Sequence, residues 1–245
     1  MNSDILKYVL LIAFSVLGII RNSISLNPLR FQCDNFILNN YLYVILSWGI
    51  MLTTVASLKH NNVELHTLFT GPFTILLSLS SIALLMGLLF MPPTFFFTKH
   101  ILYIFQIILM GVLIYPLYVN NIDLFRQVGL STLMLVSTLS LLIYLFPNIM
   151  KDSIYTYLFI GLIGLTIARL VEIFMVYKNK KIDSRYNRTL SYISVFLFSL
   201  FIMYDTKRLF SDAQNCINPD YINNSLNLFL DSVNIFTNMY NISDN

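Results

Sequence analysis

Charge is what this sequence has least of. Of its 245 residues only 11% are Asp, Glu, Lys or Arg, against about 25% in an ordinary soluble domain. Too few polar side chains are present to cover a soluble globule. With 57% hydrophobic residues, the chain also lies outside the low-hydrophobicity, high-charge composition of disordered segments. The 15 Lys and Arg residues form no clustered basic face of the kind nucleic acid requires, so no nucleic-acid partner is expected.

Cysteine is equally scarce. Cys33 and Cys216 are the only two, which gives neither a metal-ligand spacing nor a disulfide framework, and free thiols are the expectation. The three histidines, His60, His66 and His100, fall at loops or helix ends. His60 and His66 flank Glu64 with a spacing that matches no zinc site. No histidine falls within an apolar stretch to partner a Gly-x-Ser, and no Gly-x-Gly-Asp occurs, which removes the common intramembrane protease designs. Neither enzyme activity nor a cofactor is expected. Ala and Gly are sparse beside Phe, Tyr, Ile, Leu and Asn, a bias that fits an AT-rich genome and says nothing of mechanism. No Arg-rich, Ser-rich leader is visible, and Gly18-Ile19-Ile20-Arg21 is not a small-x-small cleavage site. The first apolar stretch is therefore expected to stay with the chain.

What is abundant is unbroken apolar length. Eight stretches stand out, at roughly 5–20, 39–58, 68–91, 101–119, 125–146, 154–177, 189–210 and 221–242. A spanning helix needs roughly 20 apolar residues, so eight with short polar loops use nearly the whole chain. Backbone groups in hydrocarbon must pair within their own segment, which makes helices the reading for runs this long. The alternating segments of about ten residues that build a barrel are absent. The expected fold is all-α: a polytopic transmembrane bundle of seven to eight helices, one integral membrane domain over residues 1–245. Pro116 predicts a kink in the fourth stretch. No internal repeat points to an inverted-repeat transporter. Counting Lys and Arg by side puts Lys7, Lys59, Arg126, Lys178, Lys180, Lys181, Arg185 and Arg188 with both termini, eight against six on the other side.

Ionisable residues inside a membrane are costly, and are functional candidates by default. Arg169 and Glu172 lie in the sixth stretch, three apart and so on one helix face. They form either a self-neutralising pair or a site from which Arg169 reaches a neighbouring carboxylate. Asp205 lies in the seventh stretch, followed by Lys207 and Arg208, and reads as a site residue or an interfacial charge. Asp231 lies ten residues into the eighth, about 15 Å deep at 1.5 Å per residue, too deep for a short side chain to reach water. Asn223, Asn224, Asn227, Asp231, Asn234 and Asn238 recur at helical spacing, a polar stripe that either lines a pathway or glues helices together. Two carboxylates on consecutive helices in a low dielectric share a proton. Such a pair is a proton-sensitive site for a hard cation such as Ca²⁺.

Met203-Tyr204-Asp205-Thr206-Lys207 resembles the Y-D-T-Q signature of the transmembrane Bax inhibitor motif family. The tail from Ile222-Asn223 through Leu226 to Phe229-Leu230-Asp231-Ser232-Val233-Asn234-Ile235-Phe236 is similar to that family's last helix. Within the family, the tail and an extra leading helix are most similar to the growth-hormone-inducible transmembrane protein, the mitochondrial branch. The resemblance implies a helical bundle with a central, pH-sensitive cation path gated by a diaspartyl pair, here Asp205 and Asp231, with Ca²⁺ as the transported ion. It also implies a mitochondrial inner membrane, with the endoplasmic reticulum or Golgi as the alternative. Relatives latch the pair with a basic residue from an earlier helix. The second and third stretches have none, and Lys207 stands where the signature has Gln.

The sequence therefore predicts a Ca²⁺ leak or Ca²⁺/H⁺ exchange path in a lipid bilayer. Asp205 and Asp231 form the gate, and Arg169, Glu172, Asn227 and Asn234 are its accessory candidates. The alternative is a non-transporting membrane protein that modulates cell death or serves as an accessory subunit with other membrane proteins.

Overall fold

All eight apolar stretches are helical in the computed structural model, which describes residues 3–26, 29–177 and 184–244. In chain order they are α1 (Ser3–Ser23), α2 (Phe36–His60), the short α3 (Leu65–Leu68), α4 (Gly71–Phe90), α5 (Phe96–Asn120), α6 (Ile122–Leu145), α7 (Ile154–Tyr177), α8 (Ser184–Gln214) and α9 (Tyr221–Asp244). The breaks fall where backbone chemistry puts them. Pro72 occupies the first turn of α4, where its missing N–H costs nothing, and α4 stops before Pro92-Pro93. Asn35 and Asn62 supply the left-handed corners on either side of α2, at φ 51° each, a conformation asparagine tolerates. α5 runs through Pro116 as one helix. An element the hydropathy does not foreshadow is a small antiparallel hairpin, β1 (Ile24–Leu26) with β2 (Leu29–Phe31).

Six helices among the described residues are long and apolar enough to cross a membrane: α2, α4, α5, α6, α7 as far as Glu172, and α8. α4 and α7 are the most lipid-like. Ile75, Leu76 and Leu79 on α4 and Tyr157 and Ile160 on α7 are each more than half exposed. Apolar surface on this scale is stable only against lipid. The chain is an integral, polytopic helical membrane protein. α9 differs in kind. No residue from 221 to 242 is exposed, so its polar stripe faces protein, where asparagines can find partners.

The helices group into two compact units, Met1–Asn121 with Ser211–Phe229, and Ile122–Phe210 with Leu230–Asn245. In the first, α2 packs against α1 and α5 through small residues. A Cβ on Gly49 would lie 2.9 Å from Ile12, and one on Gly111 would lie 2.8 Å from Thr54 and 3.0 Å from the Met51 carbonyl. Ser47 and Tyr103 hydroxyls meet at 2.6 Å, and Tyr103 donates to the Tyr43 carbonyl at 2.9 Å. On α5, Gln106 donates to Ser81 of α4 at 3.0 Å.

Cys33 and Cys216 are joined as a disulfide, with Cα atoms 5.9 Å apart, so the expectation of free thiols is corrected. A separation of 183 residues conceals such a pair from any spacing argument, because only the fold brings the α1–α2 and α8–α9 connections together.

In the second unit, Ile143, Met150 and Met203 form a buried core, with Leu139, Leu142, Ile154, Leu200 and Phe210 packed around it. Phe125 meets Phe236 edge to face at 4.8 Å.

Candidate functional site

Asp205 and Asp231 are brought to their site by α8 and α9. Asp205 is flanked by buried Met203 and Thr206, and the Thr206 hydroxyl meets Ser140 of α6 at 3.3 Å. This fixes the rotation of α8 and leaves Asp205 half-buried. Asp231 follows buried Phe229 and precedes buried Ser232 and Val233. The two carboxyl groups are near enough to act on one another electrostatically. Ionised carboxylates are acceptors only, so a direct hydrogen bond between the two would need a proton. Asp231 is 9% exposed, and its Oδ2 is buried without a hydrogen-bond partner. A buried acceptor left unmatched is costly, and is the kind of oxygen a proton or a cation would satisfy.

The positive charge acting on the pair is Arg208, one turn after Asp205 on α8. Lys207, which replaces the signature glutamine, points elsewhere. Its ammonium donates to the Met150 carbonyl at 2.8 Å and to Asp152 at 2.6 Å. Successive helical positions diverge by about 100°, so the residue two positions on leaves the face of Asp205 and the residue three positions on returns to it.

Arg169 also has different partners from those of a latch. It donates to Glu172 at 2.8 Å, Asn187 at 2.9 Å, Ser191 at 3.1 Å and Asn238 at 2.6 Å. The carboxylate it reaches is Glu172, on its own helix. Among the accessory candidates, Asn234 turns back to donate to the Leu230 carbonyl at 2.9 Å. Asn227 is half-buried, one turn before Asp231 on α9 and within the part of that helix assigned to the first unit. Among the described residues no group of three or more His, Cys, Asp or Glu could hold a metal ion.

A second constellation, which hydropathy does not reveal, lies in the first unit. Lys99, 1% exposed at its side chain, meets Asp220 at 2.5 Å and donates to the Met91 carbonyl at 2.6 Å. Asp220 also caps α9, accepting from the Asn223 backbone N–H at 3.2 Å. The Tyr221 hydroxyl donates to the Gln32 carbonyl, and Asn39 donates to the Asp34 carbonyl at 2.7 Å. With the disulfide, these bonds fasten the start of α9 covalently, ionically and by hydrogen bonding. The available signal was Asp220, an N-cap residue type directly before the eighth stretch. Nearby, His100 Nδ1–H donates to the Phe96 carbonyl at 2.7 Å, and Nε2 accepts from the Tyr43 hydroxyl at 2.8 Å. His60 lies at the end of α2, and exposed His66 pairs with Glu64 at 3.2 Å.

Compared with known protein families, residues 34–244 match the family described as Inhibitor of apoptosis-promoting Bax1. The match takes in α2 to α9 and leaves α1 outside. No curated protein matches the chain.

Proposed function

The chain belongs to the family of inhibitors of apoptosis-promoting Bax1, and on that premise we propose that it is a proton-sensitive cation path, leaking Ca²⁺ or exchanging it for H⁺. The observation that supports this reading is that the Asp205 and Asp231 carboxyls act on one another and that Asp231 has a buried oxygen without a hydrogen-bond partner. With one proton between them, the carboxyls close on each other. When the proton leaves, two negative charges repel and offer oxygens to a divalent cation. Arg208 adds a positive charge near Asp205, which favours brief occupancy over tight binding. The protein's partners are then the lipid bilayer, Ca²⁺ and H⁺, together with neighbouring membrane proteins that respond to the flux.

The Cys33–Cys216 bridge bears on the membrane. Disulfides persist where one face is oxidising. α8 carries Cys216 beyond one end and Arg185 and Arg188 at the other, so these lie on opposite sides of the bilayer. Basic segments stay on the cytoplasmic side. Together these favour an endoplasmic reticulum or Golgi type of membrane with the disulfide facing the lumen. The tail motif alone favours the mitochondrial inner membrane. Selective permeabilisation of cells carrying a tag in the 178–183 segment and another beside Cys216 separates the two.

The transport test is reconstitution into liposomes loaded with a calcium dye. The expected result is flux that varies with pH and becomes pH-flat in Asp231→Asn. Flux indifferent to both pH and Asp231→Asn overturns the reading. If stable membrane partners also co-purified, a non-transporting interaction role would take its place.

A further inference from the structure

Arg169 has four side-chain hydrogen-bond partners among the described residues of the second unit. Its guanidinium joins three helices: Glu172 on its own α7, Asn187 and Ser191 on α8, and Asn238 on α9. Its surroundings are protein: Ser191 is 0% exposed and Asn238 is 8%. The Asn238 amide is oriented, because its nitrogen donates to the Asn234 carbonyl at 2.8 Å, which leaves Oδ1 to face the guanidinium. Glu172 balances the charge at 2.8 Å, so Arg169 adds little net field at a distance. What it supplies is geometry, since a planar fork can serve several acceptors at once and a lysine cannot.

The two helices it joins to α7 are the two that carry the carboxylates. Asn238 lies two turns beyond Asp231 on α9, about 10 Å along the axis. A slip of one residue there would turn Asp231 by about 100° and shift it by about 1.5 Å, more than a hydrogen bond between short side chains tolerates. We propose that Arg169, acting through Asn238, is a positioning residue that sets the rotation and height of α9 so that Asp231 meets Asp205. The proposal rests on the pair being the proton-sensitive element. The group that acts on the pair's charge is Arg208, and Arg169 faces Glu172 instead.

Two readouts in the full-length protein test this, one of them independent of transport. In the first, Asp205→Cys and Asp231→Cys are combined with the native disulfide retained, and copper-phenanthroline cross-linking is counted by a maleimide gel shift. Adding Arg169→Gln or Asn238→Leu is expected to slow cross-linking at least tenfold, with the two together no worse than either. In the second, the pH midpoint of Ca²⁺ flux in liposomes is expected to move by a unit or more in Arg169→Gln, move less in Arg169→Lys, and stay in place in Asn238→Asp, which preserves the acceptor. Unchanged cross-linking and an unchanged pH midpoint, alongside a lower unfolding temperature, would make Arg169 merely structural and overturn the proposal. Wild-type flux without pH dependence would sink the transport reading, and the cross-linking rates would still decide the role of Arg169.

Discussion

Lys99 Nζ and Asp220 Oδ2 meet at 2.5 Å, with the lysine side chain 1% exposed and the aspartate 22%. The pair is asymmetric. Removing the aspartate strands an ammonium in the interior, whereas removing the lysine leaves a carboxylate that is partly wet and still caps α9. Asp220→Asn is therefore expected to destabilise by about 3–5 kcal/mol, the range for a buried charge left alone, and Lys99→Met by clearly less. Thermal unfolding in detergent measures both, and equal costs would contradict the asymmetry.

The disulfide yields a prediction with an internal control. Cys33→Ser and Cys216→Ser each remove the whole bridge, so each is expected to cost about 2–4 kcal/mol, and the double variant no more than either. Additive losses would mean that the two thiols act separately. Reductant should shift the unfolding temperature of the native protein and leave that of the double variant where it is.

The carboxylate pair predicts a direction with pH. On the proposed reading a shared proton holds the closed form, so Ca²⁺ flux is expected to rise as pH rises and the proton leaves. Asp231→Asn gives Asp205 an amide donor that never titrates, which keeps the contact made at every pH. Flux in that variant should be low and flat. Flux that is high and flat would reverse the assignment of which state is closed.

Two glycines form a matched test of packing. A Cβ at Gly111 would lie 2.8 Å from Thr54, whereas one at Gly87 would meet nothing within 4 Å. Gly111→Ala should cost about 1–3 kcal/mol by forcing α5 away from α2. Gly87→Ala should be neutral or gain roughly 0.5–1 kcal/mol from helix propensity. Unfolding midpoints for the two would separate close approach from propensity.

Hydropathy alone located the helices to within a few residues, because the length of an apolar run is set by the bilayer rather than by tertiary detail. α7 begins at Ile154, where the apolar run begins, while α5 starts at Phe96, ahead of the run, because its first turn carries Lys99. Asp205 and Asp231 were legible because charge is scarce and because two motifs frame them. Partners were not. Lys207 and Arg208 are neighbours in sequence, yet one turns to Asp152 and the other acts on Asp205, a difference that rests on rotation about α8. The joining of Cys33 to Cys216 was invisible for the same reason, since a long-range contact belongs to the fold and leaves no local pattern. Arg169 drew notice with Glu172, but its other acceptors are two neutral amides and a hydroxyl, and a search for opposite charges passes over those.

α9 has no exposed residue from 221 to 242 and is not among the helices apolar enough to cross by composition. A segment of this kind gains little from entering lipid by itself. During synthesis it must be received by helices that are already in place, so its insertion follows theirs. The Cys33–Cys216 bridge then holds the start of α9 in that place. The bridge thus marks finished assembly, and a chain halted before that step should carry two free thiols that report the arrest.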